Sequence, residues 1–207
     1  GSQIINHKPY EKMLNVISKL IKKSNFKFEF VDLGGGMGIS YKKNNTKLNY
    51  KIYNSLIHKF LNKNKCKIIF EPGRSIIGDT GVLISKIIYI KNNNNNNFII
   101  LDAAMNDLMR PALYGAQHQL IPSIIGKKIT NKKFQFVGPI CESTDKFLTT
   151  NKFQNLKENE FIIIRDVGAY GMSLSSNYNV RPKAAEILIK NSKIQIIRKR
   201  QKLSDIV

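Results

Sequence analysis

The stretch Val31-Asp32-Leu33-Gly34-Gly35-Gly36 passes from apolar residues directly into three consecutive glycines. Residues 28–33 predict a strand, because aromatic and β-branched residues favour extended backbone, and the glycines predict a turn at its carboxyl end. Backbone amides without side chains can approach a phosphate closely and donate hydrogen bonds to it. A tight turn without a ligand explains these residues equally well, and the spacing is not the Gly-x-Gly-x-x-Gly of dinucleotide sites.

Helices and strands alternate around this turn. Apolar residues at helical spacing predict one helix over residues 10–23 and another over residues 50–61. Residues 67–70 predict a second strand, which ends at Glu71. Strands and helices in alternation, with polar side chains where the strands end, are typical of a βα barrel or an open α/β sheet.

After Gly81 the sequence changes to short segments rich in β-branched residues. They predict a second, all-β domain with strands over residues 82–90, 98–101, 134–137, 161–166, 184–189 and 193–197. The asparagine run at 92–97 predicts a hairpin loop, and residues 106–114 predict a short helical or irregular insert. We therefore expect one domain over residues 1–81 and another over residues 82–207.

The formal net charge of +20 raises nucleic acid as a partner, but the charge pattern argues against it. Of the 34 basic residues only six are arginines, and the lysines are spread along the chain among Asn and Ile. A nucleic-acid surface would cluster its charge and use arginine for bidentate contacts. We expect neither a nucleic-acid partner nor a membrane partner, since no run of about eighteen apolar residues is present.

The two cysteines, Cys66 and Cys141, form no disulfide framework, and with three scattered histidines they form no four-ligand metal site. This usage fits a reducing cytoplasm. Cys66 lies next to a predicted strand and is interpreted as a small core residue.

Four short motifs carry possible chemistry, and plain structural explanations compete with it. Glu71-Pro72-Gly73-Arg74 offers a carboxylate that can keep a pyridine nitrogen protonated and an arginine that can bind an anion. The same residues can also form a surface turn without a ligand. Cys141-Glu142 offers a thiol that can donate a proton, although a lone cysteine is more often a core residue. Arg110-Pro111-Ala112-Leu113-Tyr114 suits a substrate carboxylate, or it is a surface arginine with a buried tyrosine. In Gly168-Ala169-Tyr170-Gly171 the tyrosine phenol can bind a phosphate.

Taken in order, these motifs are the groups that carbanion chemistry on a pyridoxal phosphate cofactor needs. The ordered series resembles the pyridoxal-phosphate decarboxylases of the alanine-racemase-like fold, and among them most of all the diaminopimelate decarboxylases. The resemblance covers essentially the whole chain, including Gly1-Ser2-Gln3, which is similar to the end of a family strand reading His-Ile-Gly-Ser-Gln. It implies the C-terminal part of a (β/α)8 TIM-type barrel followed by a β-sandwich or β-barrel domain.

The resemblance also implies roles for individual residues. Pyridoxal 5'-phosphate would be bound by Ser2, Gly34, Gly35, Gly36, Glu71, Gly73, Arg74 and Tyr170, with Glu71 facing the pyridine nitrogen. The amino-acid substrate would be bound by Arg74, Arg110, Tyr114, Glu142 and Tyr170, with Arg110 and Tyr114 on its distal carboxylate. Cys141 would be the catalytic proton donor. Cys141 and Glu142 would enter the partner subunit's site, so a homodimer with shared active sites is implied.

The implied reaction removes carbon dioxide from meso-2,6-diaminopimelate and gives L-lysine. Two departures from the family pattern stand out. Ala104 occupies a position where the family usually has glycine, and a positive φ there would be strained for alanine. The family's Schiff-base lysine would lie upstream of Gly1, so we expect this chain alone to be inactive. A partial barrel would leave strand edges unpaired, so we also expect this chain alone to be prone to aggregation.

Two other functions remain open. One is an ornithine or arginine decarboxylase of the same fold, whose substrates lack the second carboxylate that Arg110 would bind. The other is a non-catalytic, dimerising relative that kept the surface and lost the chemistry.

Overall fold

The structure, a computed structural model, describes residues 3–41, 47–93 and 96–207. It divides the chain into two units, Gly1–Asp79 and Thr80–Val207, each with a hydrophobic core of its own. Among the helices of the described residues, none is long and apolar enough to cross a membrane.

The first unit contains helices and a small parallel sheet. Its elements are α1 (Lys8–Ser24), β1 (Phe30–Asp32), α2 (Tyr50–Asn64), β2 (Lys67–Ile69) and α3 (Arg74–Ile77), followed by a 3-10 turn at Gly78–Thr80. Strands β1 and β2 pair in parallel, with Val31 opposite Ile68. Ile4 adds a parallel bridge to Met37. The described part of this unit therefore forms a βα sheet and not a closed barrel.

Local sequence signals explain where the two long helices begin and end. The side chain of Asn49 accepts hydrogen bonds from the backbone amides of Lys51 (3.1 Å) and Ile52 (3.2 Å), so it caps the start of α2. Helix α1 has a proline in its first turn, where no amide partner is lost. It ends at Asn25, which adopts the left-handed conformation that terminates helices.

The core of the first unit forms where α1 and α2 face each other. The ring of Tyr10 lies 4.6 Å from the ring of Tyr53, measured between centroids. The buried side chains of this core are Tyr10, Leu14, Leu33, Met37, Leu48, Tyr53, Ile57 and Phe60. Two residues that the apolar spacing places on the same faces, Leu20 and Ile52, are exposed. The helices meet on the Tyr10 and Tyr53 side, and this contact leaves the flanking apolar residues in solvent.

The second unit is built on one six-stranded sheet and two short two-stranded sheets. Its strands are β3 (Val82–Asn93), β4 (Asn96–Leu101), β5 (Leu120–Pro122), β6 (Ile129–Thr130), β7 (Lys133–Val137), β8 (Lys146–Thr150), β9 (Phe153–Gln154), β10 (Phe161–Arg165), β11 (Glu186–Lys190) and β12 (Lys193–Arg198). Helix α4 (Arg110–Tyr114) lies between β4 and β5, and 3-10 turns occur at Met172–Leu174, Tyr178–Val180 and Leu203–Asp205.

The large sheet has the strand order β5-β10-β3-β4-β7-β8. All neighbouring pairs are antiparallel except β4 with β7, so the sheet is mixed. Strand β4 alternates buried and half-buried residues, as expected for a strand with one face on the core. The core it covers includes Ile87, Ile99, Leu101, Phe134, Phe136, Ile162 and Ile164. Each of the six strands expected after residue 81 is present.

Candidate active site

The glycine turn lies beside the end of the neighbouring strand in the first unit. The amide of Leu33 donates to the carbonyl of Ile69 (3.1 Å), and the amide of Glu71 donates to the carbonyl of Gly34 (2.9 Å). A Cβ atom on Gly35 would lie 2.3 Å from the carbonyl oxygen of Glu71. Only glycine permits this approach, so the turn and Glu71 form a fixed pair at the carboxyl ends of β1 and β2.

The other side of the turn is bound by the segment around Ile4. Its amide donates to the carbonyl of Gly36 (2.9 Å), and its carbonyl accepts from the amide of Gly38 (3.0 Å). Gly34 and Gly36 have φ values of 64° and 86°, which favour glycine. The amide of Gly34 donates to the Asp32 carboxylate (2.7 Å), so this amide is already bound within the chain. Ser2, predicted to contact the phosphate, lies outside the described residues.

Glu71 and Arg74 differ in exposure although both belong to the same motif. The Glu71 side chain is exposed at the end of β2. The Arg74 side chain is buried; its Nη1 donates to Oε1 of Gln3 (2.8 Å), and its guanidinium carbon lies 5.8 Å from the ring centroid of Tyr41. Next to it, a Cβ on Gly73 would meet no atom within 4 Å. In this unit the structure thus brings together the glycine turn, Glu71 and Arg74.

In the second unit, Asp145 connects two loops. Its Oδ1 accepts from the amide of Met105 (2.7 Å), and its Oδ2 accepts from the amide of Ile140 (2.8 Å). A Cβ on Gly138 would lie 2.2 Å from Oδ2, so the carboxylate fills the space that this glycine leaves. Asp145 is buried, and burial raises the pKa of its carboxyl above the ordinary value, although the two amides lower it.

The turn that Asp145 closes carries Cys141 and Glu142, both of them exposed. The amide of Asp145 donates to the carbonyl of Glu142 (3.1 Å), which completes the turn. The hydroxyl of Tyr178 donates to Oε1 of Glu142 (2.7 Å), and this hydrogen bond raises the pKa of the Tyr178 phenol. The thiol and the carboxylate therefore lie next to each other at the surface of this unit, with the carboxylate bound by Tyr178.

Helix α4 places its two predicted site residues in different environments. Tyr114 is exposed, whereas the Arg110 side chain is buried with 4% exposure. Nη1 of Arg110 lies 3.0 Å from Nε2 of His118, and Nδ1 of His118 lies 2.8 Å from the carbonyl oxygen of Arg165. The buried guanidinium is thus held by a histidine that is itself bound to strand β10.

Tyr170 adopts an unusual backbone conformation, with φ of 60°. Left-handed backbone at a bulky residue costs about 1 kcal/mol or more and persists only where neighbouring contacts impose it. Here a Cβ on Gly171 would lie 2.4 Å from the carbonyl oxygen of Val167, so the loop is tightly folded. The side chain of Tyr170 is 38% exposed at this bend.

Ala104 is not strained, contrary to the concern raised by the family pattern. Among the described residues with positive φ, Ala104 is not found. Its side chain is fully buried, and its amide donates to Oδ2 of Asp107 (2.9 Å). A Cβ is therefore accommodated at this position without left-handed backbone.

Three residues with clear structural roles were not predicted from the sequence. Asp145 ends the run Cys141-Glu142-Ser143-Thr144-Asp145, so its position close to the Cys141-Glu142 motif was a usable signal. His118 follows α4 by a few residues, but a lone histidine carries no spacing that would indicate a role. Tyr178 meets Glu142 across a long sequence separation, which no local pattern reveals.

Comparison with known proteins identifies the family of the chain. Residues 14–168 match the family described as pyridoxal-dependent decarboxylase, C-terminal sheet domain. The diaminopimelate decarboxylase of Aquifex aeolicus is 39% identical over 211 residues, which include 100% of this chain and 50% of that enzyme. That of Zymomonas mobilis is 38% identical over 211 residues, again with 100% of this chain and 50% of the relative.

A solved structure shows the same likeness in three dimensions. Diaminopimelate decarboxylase from Helicobacter pylori, crystallised in complex with L-lysine, superimposes with a TM-score of 0.90 at 38% identity. The match covers 100% of this chain and 51% of that one, and the chain spans about half the length of the curated relatives it matches. Since the family match covers most of the sequence, the chain belongs to the pyridoxal-dependent decarboxylases.

Proposed function

We propose that this chain forms the C-terminal half of an enzyme that decarboxylates meso-2,6-diaminopimelate to L-lysine and carbon dioxide. The observation that carries the proposal is the glycine turn held against Glu71 at the ends of two parallel strands. Family membership and the relatives named diaminopimelate decarboxylase support it.

The residues of the first unit fit pyridoxal 5'-phosphate. The three glycines of the turn, Gly34, Gly35 and Gly36, carry no side chains, so their backbone can lie close to a phosphate on the side that faces away from the Glu71 carbonyl. Glu71, one strand away, presents an exposed carboxylate that can bind a protonated pyridine nitrogen. Gly73 and Arg74 would complete the phosphate side, with Ser2 from the start of the chain. When bound, the cofactor supplies an electron sink for the negative charge left by the departing carboxylate.

The residues of the second unit fit the remaining tasks in the proposed reaction. Cys141 would donate the proton that replaces carbon dioxide, because its thiol is exposed on a turn fixed by Asp145. Glu142 would bind the substrate ammonium, and its carboxylate is already held by Tyr178. Arg110 and Tyr114 would bind the distal carboxylate, and Tyr170 would contact both cofactor and substrate.

The larger assembly is part of the same proposal. The described βα elements of residues 1–81 would complete a (β/α)8 barrel together with the half that the relatives have beyond this match. Residues 82–207 would form the β domain, and two subunits would share their active sites as a homodimer. A cytoplasmic location fits the exposed free thiol of Cys141. The chain alone would be inactive, because the Schiff-base lysine would come from the other half.

The substrate is tested with the full-length enzyme and added pyridoxal phosphate. We expect carbon dioxide and L-lysine from meso-diaminopimelate, and no comparable release from ornithine or arginine, which give Arg110 no distal carboxylate to bind. Activity confined to ornithine or arginine would overturn the proposed substrate. A protein that binds the cofactor and decarboxylates none of the three would favour a non-catalytic relative.

The proposed proton donor is tested by Cys141→Ala, with Cys66→Ala as the matched control. Loss of a general acid lowers kcat by about 100-fold or more, so we expect that loss for Cys141→Ala. Cys66 packs against the core of the first unit, and its variant should retain the wild-type kcat. Equal activities of the two variants would exclude Cys141 as the proton donor.

A further inference from the structure

We propose that His118 is a positioning residue that fixes the guanidinium of Arg110 for binding a substrate carboxylate. This inference rests on the proposed function, because it assigns to Arg110 a carboxylate ligand. His118 would not touch substrate or cofactor and would act only through Arg110.

The first step in the argument is burial. His118 is 2% exposed and Arg110 is 4% exposed, so neither side chain exchanges its partners freely with water. A buried polar group that loses its hydrogen bond incurs a large desolvation cost. The contact between Nη1 of Arg110 and Nε2 of His118, at 3.0 Å, is therefore a strong constraint on both side chains.

The second step is the identity of the donors. The carbonyl oxygen of Arg165 can only accept, so Nδ1 of His118, 2.8 Å away, must carry a hydrogen. A guanidinium nitrogen can only donate, so Nε2 must present its lone pair to Arg110. A single form satisfies both contacts, the neutral imidazole protonated at Nδ1. The alternative tautomer would oppose two donors at the Arg110 end of the ring and two acceptors at the Arg165 end.

The third step is what the arrangement does for recognition. Arginine binds a carboxylate through a rigid planar fork of N–H groups, so the direction of the fork decides whether a bidentate contact forms. Arg110 begins helix α4, whereas Arg165 ends strand β10. His118 contacts a residue of each element, and its direct contact with Nη1 of Arg110 sets the orientation of the fork.

Two variants of His118 distinguish the hydrogen bond at Nδ1 from the hydrogen bond at Nε2. The amide of asparagine occupies the position of Nδ1, so His118→Asn keeps a donor for the Arg165 carbonyl and loses the acceptor for Arg110. The amide of glutamine reaches the position of Nε2, so His118→Gln keeps that acceptor and loses the other bond. His58→Asn, at an exposed position on α2, serves as the matched control.

In the full-length enzyme we expect His118→Asn to raise KM for meso-diaminopimelate by about tenfold, the effect of losing a hydrogen bond to a charged group, with kcat within about threefold of wild type. His118→Gln and His58→Asn should keep KM close to the wild-type value. Equal increases for the two His118 variants, or a loss confined to kcat, would overturn the positioning role, because a merely structural histidine would not distinguish them.

A second measurement does not depend on catalysis. Proton–nitrogen NMR of full-length enzyme labelled at histidine should show His118 as the neutral Nδ1-protonated tautomer, its signal identified by its absence in His118→Gln. An Nε2-protonated ring or an imidazolium would overturn the inference. If the enzyme has no activity on diaminopimelate while this tautomer is observed, the proposed substrate fails and the contact itself stands without a positioning role.

Discussion

Asp145 connects the loop of residues 103–107 to the turn that carries Cys141, and one carboxylate does this with its two oxygens. Each oxygen accepts a backbone amide at under 3 Å, from Met105 on one side and Ile140 on the other. The turn carries Cys141 and Glu142, which are proposed for chemistry, and the loop precedes helix α4, which begins at Arg110. Substitution of Asp145 should therefore affect the free energy of unfolding first, together with the order of the Cys141 turn.

Asp145→Asn should lower the free energy of unfolding of the full-length protein by about 1–3 kcal/mol at neutral pH. An amide presents only one acceptor, so it leaves the amide of Ile140 or Met105 facing another donor. Asp205→Asn is the control, since Asp205 accepts one backbone amide at an exposed turn, and a surface change of this kind costs about 0.5 kcal/mol or less. Denaturant titration of the two variants makes the comparison, and equal losses would contradict the structural role of Asp145.

The pH dependence of the same variant follows from the raised pKa of Asp145. Burial makes the folded protein bind a proton here more readily than the unfolded chain does. Unfolding then releases this proton, so the contribution of Asp145 to stability increases as pH falls through the raised pKa and is lost as pH rises. The asparagine variant lacks this gain, so its deficit relative to wild type should widen toward acid pH. A deficit that narrows on acidification would contradict the raised pKa.

At the scale of elements, the ends of β1 and β2 are joined by a contact that only glycine allows. Gly35→Ala would place a Cβ 2.3 Å from the carbonyl oxygen of Glu71, so the two strand ends must separate. Overpacking of this size costs about 1–3 kcal/mol. We therefore expect the affinity of the full-length enzyme for pyridoxal phosphate to fall about tenfold or more, measured by titration of the cofactor-free protein.

The control for this glycine is Gly126→Ala in the second unit. A Cβ there meets no atom within 4 Å, but φ is 87°, so alanine is strained without a clash. This variant should lose stability and keep its cofactor affinity. If both variants reduce the affinity equally, the effect is a general loss of folding and the glycine turn has no particular role.

Helices and strands were predicted correctly where the sequence pattern was clear or where a turn or capping residue marked its end. Both long helices show apolar periodicity over many residues, the six predicted β segments are rich in β-branched and aromatic residues, and Asn49 and the glycines mark boundaries. Strands β5, β6, β8 and β9 were not predicted. Two of them, β6 and β9, contain two residues each, so no alternation can appear. Their backbone pairing depends on partners elsewhere in the chain.

The predicted site residues were identified as motifs, but their environments were not. A carboxylate after a strand could be read from the sequence, whereas the burial of Arg74 and Arg110 depends on side chains distant in sequence. The contacts of Arg74 with Gln3 and of Arg110 with His118 illustrate this. The buried face of each helix could not be predicted for the same reason. Apolar spacing includes the exposed Leu20 and Ile52 as readily as the buried Leu14.

At the scale of the whole molecule, the chain exposes apolar residues on a two-stranded hairpin. In the sheet of β11 and β12 the exposed side chains are Ile187, Leu188, Ile189, Ile194, Ile196 and Ile197. Isolated two-stranded hairpins are marginally stable in water, and exposed apolar strand edges promote association. These exposed residues give a second physical reason for the prediction that residues 1–207 alone are prone to aggregation.

The central claim is that this chain supplies the glycine turn, Glu71 and Cys141 to an enzyme whose remaining groups lie in another half. The most direct measurement is formation of L-lysine from meso-diaminopimelate, with added pyridoxal phosphate, by residues 1–207 and by the full-length enzyme at equal molar concentration. The account predicts lysine from the full-length enzyme and none from residues 1–207. Lysine formation by residues 1–207 alone would contradict it, because the complete catalytic set would then lie within this chain.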